Sequence, residues 1–167
     1  LSDGVRVDYV ETVSGPTGHA VIQVDSNGEN AIVIHGGANQ TITRDNVQRV
    51  LSDFSRNDWL LLQNETSALP DAMTLAAANG IRVVFNPAPF GAEILDYPLQ
   101  HVDLFIMNET EGQALTGCSD TEAIVDAMLT RFPEAAIILT LGAEGAIFRR
   151  GADAISVSAR RVTAVDT

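Results

Sequence analysis

A regular alternation of apolar runs with segments of helical periodicity constrains the fold of this chain more than any other feature. The apolar runs lie at residues 59–62, 81–85, 102–107 and 135–141, and segments with apolar residues on one helical face separate them. Strands that alternate with helices in this way form a parallel sheet through right-handed crossovers. The sequence therefore predicts an α/β fold, a three-layer structure in which helices flank a parallel sheet.

Residues 1–40 have a different pattern, which is typical of antiparallel strands. Apolar and polar residues alternate at 5–9, and two β-rich runs at 20–25 and 31–35 are joined through Asn27-Gly28, a favoured hairpin turn. Three strands without helices cannot bury both of their faces. We therefore expect this ribbon to cover a site or to pair with another subunit.

Several helix boundaries are also predicted. Thr43 is a candidate N-cap, and the next helix has Pro70 near its start and Gly80 at its end; both positions are typical of those residues. Ser119 followed by Glu122 is the spacing of a capping box, which predicts the start of a further helix.

Polar residues follow each predicted strand directly. Because parallel strands end at the same edge of a sheet, and ligands of such sheets bind outside that edge, we expect these residues to lie along one crevice. They are Glu65, Asn86, Asn108, Glu111, Thr140 and Gly142.

Each of these residues also has a purely structural interpretation. A carboxylate at Glu111 beside the carboxamide of Asn108 suits a hydrated Mg²⁺, but the same spacing makes a capping box. The carboxylate of Glu65 is suited to accept hydrogen bonds from a polyol, or is favoured there by the dipole of the following helix. The glycines of residues 140–145 would let backbone approach a nucleotide, or simply form a hairpin, and the chain has no Walker or Rossmann glycine motif.

Composition excludes some classes of partner. The net charge is -12, with ten arginines and no lysine, which argues against nucleic acid or an anionic membrane as a partner. No apolar run approaches the length of a membrane span and no signal-peptide pattern opens the chain, so a cytoplasmic location is expected. The single cysteine, Cys118, lies in a predicted turn and is expected to be structural.

In the order and spacing of its motifs the chain resembles the ribokinase-like (PfkB) carbohydrate kinases. The similarity covers nearly the whole chain, and the motif glycines, polar residues and prolines are spaced along it as in that family. The motifs lie at residues 17–18, 28–30, 36–39, 63–65, 86–89, 108–111, 115–117, 140–145 and 164–167.

The resemblance implies ATP-dependent phosphorylation of a sugar hydroxyl, with D-ribose as the expected substrate and ribose 5-phosphate as the product. It also implies two parts, a β lid segment at residues 1–40 and a partial α/β core at 41–167 that binds nucleotide and sugar. In the family such a lid covers the sugar and often forms a dimer contact, so a homodimer through the lid is expected. Other sugars such as fructose, or nucleosides, remain alternative substrates.

The resemblance assigns roles to particular residues. Glu65 matches the carboxylate that contacts the sugar, and Asn108 and Glu111 match the pair that holds Mg²⁺ and phosphate. Backbone at Thr140, Gly142 and Gly145 matches the nucleotide site, and Asp166 matches part of a site for a monovalent cation such as K⁺.

The chain departs from the family at both ends. The family's Gly-Ala-Gly-Asp motif, with the anion hole and the catalytic base, would follow Thr167, and the N-terminal residues that grip the sugar are absent too. We therefore expect a central fragment that contains no catalytic residue and is inactive by itself, because loss of a base alone costs roughly two to four powers of ten in rate. A non-catalytic module that binds sugar or nucleotide is the alternative from another class.

Overall fold

The computed structural model describes residues 3–25 and 30–161. Its strands and α-helices follow one another along the chain as β1 (His19–Val24), β2 (Asn30–His35), α1 (Arg44–Leu51), β3 (Trp59–Gln63), α2 (Leu69–Ala78), β4 (Arg82–Asn86), β5 (Leu104–Asn108), α3 (Glu109–Thr116), α4 (Thr121–Arg131), β6 (Ala136–Thr140), β7 (Ala146–Arg150) and β8 (Asp153–Val157). Short 3-10 helices lie at Gly37–Thr41, Ala92–Asp96, Leu99–His101 and Gly142–Glu144.

The main sheet has six strands in the order β3-β4-β5-β6-β7-β8. The first four are parallel, whereas β7 and β8 are antiparallel to their neighbours. The connection from β6 to β7 is a short turn, and such a turn can only join antiparallel strands. The predicted α/β fold is confirmed, with a mixed sheet in place of a purely parallel one.

The core of the domain lies around the central strands and the helices packed on them. On β4, Val83 and Phe85 point to one face and Val84 to the other, and all three are buried, so both faces of this strand are covered. Phe105 of β5 is fully buried, with its ring 5.0 Å from that of Phe132. This packing explains why the inner strands read as continuous apolar runs.

The strand β3 is less buried than the inner strands, although its sequence is also an apolar run. It lies at the edge of the sheet, and its burial alternates, with Trp59 52% and Leu61 67% exposed while Leu60 and Leu62 are half-buried. The guanidinium of Arg82 lies 3.9 Å from the centre of the Trp59 ring and covers part of the exposed face. An apolar run alone could not show that only one of its faces is covered.

The predicted helix boundaries are confirmed except at α4. Thr43 caps α1 in a capping box with Asn46, and α2 begins with Pro70 in its first turn. The cap of α4 is Asp120, whose side chain accepts from the backbone N–H of Ala123. The predicted capping box of Ser119 with Glu122 is therefore wrong.

Glu122, which the predicted capping box required, makes a tertiary contact instead. The carboxylate of Glu122 forms an ion pair with Arg149 of β7. Since Asp is also a strongly preferred N-cap, the helix begins one residue later than the sequence pattern indicated.

The antiparallel part has two described strands, not three. β1 and β2 pair as an antiparallel ribbon, and every described residue in it is exposed. Residues 5–9, predicted as a third strand, are irregular. The hydroxyl of Tyr9 instead donates to Asp53, 2.8 Å away, and its ring lies 5.6 Å from Phe54, so this segment lies against the end of α1. The predicted turn at Asn27-Gly28 lies outside the described residues.

None of the helices in the described ranges is long and apolar enough to cross a membrane.

Candidate active site at the carboxyl edge of the sheet

The strand register brings the predicted site residues to one edge of the sheet. Gln63, at the end of β3, is paired with Asn86 at the end of β4, and Asn108 of β5 is paired with Thr140 of β6. Glu65 follows β3 by two residues. Because these strands are parallel, all of these positions lie at the carboxyl edge, where α/β sheets bind their ligands.

At the start of α3, Asn108 and Glu111 form a complete capping box. The backbone N–H and Nδ2 of Asn108 donate to the two carboxylate oxygens of Glu111, at 2.9 and 3.1 Å, and Asn108 Oδ1 accepts from the Glu111 N–H at 2.9 Å. The capping interpretation is therefore present in the structure. The Glu111 carboxylate can still bind a ligand, since an ionised carboxylate has about four lone-pair positions and the cap uses two of them.

Glu65 lies in the turn after β3 with an exposed side chain. Its backbone carbonyl accepts from Gln40 Nε2 at 3.0 Å, and no hydrogen bond to its carboxylate is formed by the residues that the structure describes. The neighbouring Ser67 N–H donates to Asn39 O at 3.0 Å, and its hydroxyl donates to Ile42 O at 2.8 Å. The turn that carries Glu65 is thus held against the segment that leaves the ribbon.

The two ends of the ribbon meet at this same place. The N–H of Ala38 donates to Pro16 O at 2.9 Å. A Cβ on Gly18 would lie 2.6 Å from Gly36 O and 2.7 Å from Asn39 Nδ2, so only glycine permits this approach. The motifs at 17–18 and 36–39 are therefore packed against each other beside the turn of Glu65.

Sequence reasoning missed a hydrogen-bonded group centred on Asn64. Its Nδ2 donates to Pro89 O at 2.9 Å and to Glu93 Oε1 at 3.0 Å, and its Oδ1 accepts from the Tyr97 hydroxyl at 3.0 Å. The bond from Asn64 stabilises the charged form of Glu93 and lowers the pKa of that carboxyl. Burial raises the pKa of the Tyr97 hydroxyl, and the charge of Glu93 adds to this. The partners lie some thirty residues apart, so no local pattern could have indicated them.

The loop after β6 is a tight turn. The N–H of Leu141 donates to Gly145 O at 2.8 Å, and Thr140 Oγ1 donates to Met107 O at 3.4 Å. A Cβ on Gly145, where φ is +114°, would lie 1.9 Å from Val157 O, whereas Gly142, with φ +52°, has nothing within 4 Å of its Cβ position. Gly145 is therefore required by close backbone packing, and Gly142 leaves open space at the edge.

Two further predictions concern metals. Asp166 lies outside the described residues. Within 3–25 and 30–161 there is no group of three or more His, Cys, Asp or Glu side chains that could hold a metal ion. Cys118 lies half-buried in the turn between α3 and α4, where its backbone N–H donates to Thr116 Oγ1 at 3.2 Å.

An apolar groove of about 510 Å³ lies away from this edge, between the segment after residue 9, α1, α2 and β3. It reaches the polar edge only at Asn39, Thr66 and Ser67. Its lining also includes polar and charged side chains, among them Glu11, Asn46 and Arg49.

Comparison with known proteins identifies relatives over nearly the whole chain. The family described as pfkB family carbohydrate kinase matches residues 2–167. Ribokinase of Haemophilus influenzae is 35% identical over 173 residues, which cover 99% of this chain and 56% of that protein. Deoxyribokinase of Salmonella typhi is 33% identical over 177 residues, covering 98% of this chain and 56% of its own length.

A solved structure gives the same result for the fold. The structure of Arabidopsis thaliana ribokinase complexed with ribose and ATP matches with a TM-score of 0.69 and 31% identity, covering 93% of this chain and 53% of that one. The chain thus spans about half the length of the relatives that it matches.

Proposed function

Because this chain belongs to the pfkB family of carbohydrate kinases, we propose that it forms part of an ATP-dependent sugar kinase that converts D-ribose to ribose 5-phosphate. The observation that carries the proposal is the strand register, which brings the ends of β3, β4, β5 and β6 to one edge. At one end of that edge lies the Glu65 carboxylate, which accepts no hydrogen bond from the described residues. At the other end lie the N-terminus of α3 and the glycine turn after β6. Phosphoryl transfer from a nucleotide to a small polyol depends on positioning both ligands and on neutralising phosphate charge, and these parts can supply that.

The sugar is proposed to bind at the turn of Glu65, below the ribbon. The Glu65 carboxylate is exposed, and described residues leave its oxygens free to accept hydrogen bonds from two hydroxyls. The ribbon starts and ends beside this turn, through the contacts of Gly18, Gly36 and Asn39. It is therefore in a position to cover a bound sugar and to reduce its exposure to water.

Phosphate and Mg²⁺ are proposed to bind at the start of α3. Glu109 and Glu111 both lie in the first turn of this helix, so a phosphate there would meet two carboxylates as well as the helix N–H groups. A cation between the phosphate and these carboxylates would offset their repulsion. One carboxylate with one carboxamide suits a Mg²⁺ that keeps several waters. Bound Mg²⁺ would neutralise charge on the transferred phosphate.

The nucleotide is proposed to lie over the turn formed by Thr140, Gly142 and Gly145. This turn follows the strand next to Asn108, so it places backbone beside the proposed phosphate site. The space above Gly142 is open, which allows a planar base or a ribose to approach the chain closely. Asp166 and a monovalent cation such as K⁺ remain part of the proposal by resemblance alone.

The ribbon is also the proposed dimer contact. Its apolar residues are exposed on both faces: Val21 and Val33 on one, Ile22 and Ile32 on the other, each between 50% and 68% exposed. Apolar area of this kind is typical of a surface that is covered in an assembly. A small-molecule kinase of this type also implies a cytoplasmic location, where ATP and free sugar are available.

2-Deoxyribose is the second candidate substrate. The identity to deoxyribokinase of Salmonella typhi, 33%, is close to the 35% identity to the ribokinase of Haemophilus influenzae. The two sugars differ by one hydroxyl, and a site that hydrogen-bonds this hydroxyl rejects a substrate that lacks it.

A coupled ADP-release assay tests the proposal on the complete gene product and on the isolated 167-residue chain. The assay contains ATP, Mg²⁺ and K⁺ with ribose, 2-deoxyribose or fructose, and the intact mass of each protein is recorded. We expect ribose-dependent turnover from the complete product and none from the isolated chain. Absence of sugar-dependent turnover in the complete product, together with measurable sugar or nucleotide binding, would instead support the non-catalytic module.

A further inference from the structure

The carboxamide of Asn64 joins the end of β3 to the segment that follows β4. Its three hydrogen bonds, to Pro89 O, Glu93 Oε1 and the Tyr97 hydroxyl, use both N–H groups and the oxygen. The backbone N–H of Asn64 also donates to Ala88 O at 2.8 Å. All four partners belong to residues 88–97, so Asn64 contacts this segment at four points, in addition to the buried side chain of Ile94 that anchors it in the core. We call these residues the Asn64 network.

The network is supported at its far side. The Tyr97 ring lies 6.4 Å from that of the buried Phe85, which connects the network to the core. The Glu93 carboxylate folds back over Gly91, where a Cβ would lie 2.2 Å from Glu93 Oε1. Gly91 has φ -128°, a value that any residue adopts, so the missing side chain at Gly91 leaves room for the carboxylate.

The Asn64 network lies beside the proposed sugar site. Glu65 follows Asn64 directly, and Gln63, which precedes it, is paired with Asn86 at the start of the loop that Asn64 holds. A displacement of residues 88–97 would therefore move both sides of the sugar end of the crevice. The hydrogen bond from Asn64 to Glu93 is exposed, and exposed polar contacts contribute little to global stability.

From these contacts we propose that Asn64 is a positioning residue for sugar binding, which through Glu93 and Tyr97 fixes the turn of Glu65 against the loop after Asn86. This inference rests on the proposed function and adds to it a residue that need not touch the substrate. A site that is already ordered loses less entropy when its ligand binds. The network therefore acts on the affinity for sugar and not on the affinity for nucleotide.

The substitution Asn64→Asp tests the inference in the complete gene product. It keeps the shape of the side chain but removes both N–H donors, so that carboxylate oxygens face Pro89 O and the Glu93 carboxylate, and the two like charges repel each other. The titratable groups in contact with this position, among described residues, are Glu93 and Tyr97, and Glu65 is next in the chain. Asn79→Asp is the matched control, because Asn79 ends α2 at the opposite edge of the sheet, where its Nδ2 donates to Leu51 O.

We expect Asn64→Asp to raise the KM for ribose on the order of tenfold at pH 8, the cost of about one hydrogen bond. The KM for ATP should change little, and the unfolding midpoint should fall no more than it does in the control Asn79→Asp. The ratio of variant to wild-type KM should fall as the pH is lowered towards about 5, because the two carboxyls then share a proton. Adding Glu93→Gln should restore much of the ribose affinity at pH 8, since a carboxamide can donate to the new carboxylate, while the bond to Pro89 O stays lost.

A second variant reaches the same contact without changing Asn64. Gly91→Ala introduces a Cβ into the space of the Glu93 carboxylate, and a flexible side-chain end can move away at little cost to the fold. It should also raise the KM for ribose and leave the KM for ATP unchanged.

Three results would overturn the inference. Equal changes in the KM for ribose and ATP, or equal effects of Asn64→Asp and Asn79→Asp, would show a general structural role. If Glu93→Gln restored none of the affinity, the effect of Asn64→Asp would not pass through Glu93.

A wild-type product without sugar-dependent turnover would overturn the proposed function itself and is seen before any variant is made. In that case hydrogen exchange decides the inference about the network. The backbone N–H of residue 64 donates to Ala88 O. Faster exchange of this N–H in the Asn64→Asp variant than in the wild type would support the inference, and unchanged exchange would overturn it.

Discussion

The ribbon and the main sheet are built from similar residues but use them differently. Ile, Val and Ala are the apolar residues of β1 and β2, and Val and Phe of β4 and Ala, Ile and Leu of β6 are of the same apolar kind. In the ribbon every described residue is exposed, whereas Val83 and Phe85 of β4 and Ile137 and Leu139 of β6 are fully buried. β-propensity is therefore satisfied in both regions, but only the sheet gains stability from it, because burial and not strand formation supplies most of the free energy. The ribbon contributes little to the core, and its exposed residues remain available for the lid and dimer roles proposed above.

The largest expected difference between the two regions is in the free energy of unfolding. Phe105→Ala would remove a fully buried ring that packs against Phe132 and should cost about 3–5 kcal/mol. Val33→Ala, at a ribbon position that is 68% exposed, should cost less than about 0.5 kcal/mol. Urea unfolding of both variants measures this, and similar costs would contradict the contrast.

The second prediction concerns the proposed role of the ribbon in dimerisation. Val33→Glu would place a charge in the proposed dimer contact and should weaken dimerisation by roughly 30-fold or more, as at interface hot spots. Sedimentation measures the dissociation constant. The control is Ile155→Glu, at an aliphatic residue of β8 that is 56% exposed. If both variants dimerise like the wild type, the ribbon is not the contact.

The third prediction, made for the complete gene product, separates the proposed Mg²⁺ site at the carboxyl edge from the core beneath it. Glu111→Gln keeps much of the cap of α3 but removes the charge proposed to hold Mg²⁺, and should reduce kcat/KM for ATP by about 10- to 100-fold. The free energy of unfolding should fall by only about 1 kcal/mol. Steady-state kinetics at several Mg²⁺ concentrations give the first number and chemical unfolding the second. An effect on stability alone would leave Glu111 as a cap.

The last prediction concerns the Tyr97 hydroxyl, at the border between the edge and the core. Tyr97→Phe removes the hydroxyl that donates to Asn64 and should cost about 0.5–1.5 kcal/mol. The pKa of Tyr97 is raised, so the folded state holds this proton more tightly than the unfolded state. Its contribution is present below the unfolded pKa of about 10 and is lost as pH rises through the folded pKa.

The wild type and Tyr97→Phe should therefore become more similar in stability at alkaline pH. Thermal unfolding between about pH 8 and pH 11 shows whether their difference narrows. A constant difference would mean that the hydroxyl contributes nothing through its proton.

Much of the fold could be predicted from the sequence because local signals determine it. The apolar runs gave the inner strands of the sheet, and Thr43 and Asn108 indicated the starts of α1 and α3, since a cap depends only on residues within one turn. The same local reasoning failed at Ser119 and at residues 5–9. There, the ion pair of Glu122 with Arg149 and the contact of Tyr9 with Asp53 come from distant parts of the chain.

In the candidate site, too, some features follow from local sequence and others from tertiary contacts. The sequence by itself determined which residue types follow the parallel strands, because period and turn chemistry place Glu65, Asn108 and Thr140 at strand ends. Only the tertiary structure decided that Asn64 joins Glu93 and Tyr97, and that the two ends of the ribbon meet beside Glu65. These contacts connect residues far apart in the chain, and their energies depend on burial and geometry that no short pattern contains.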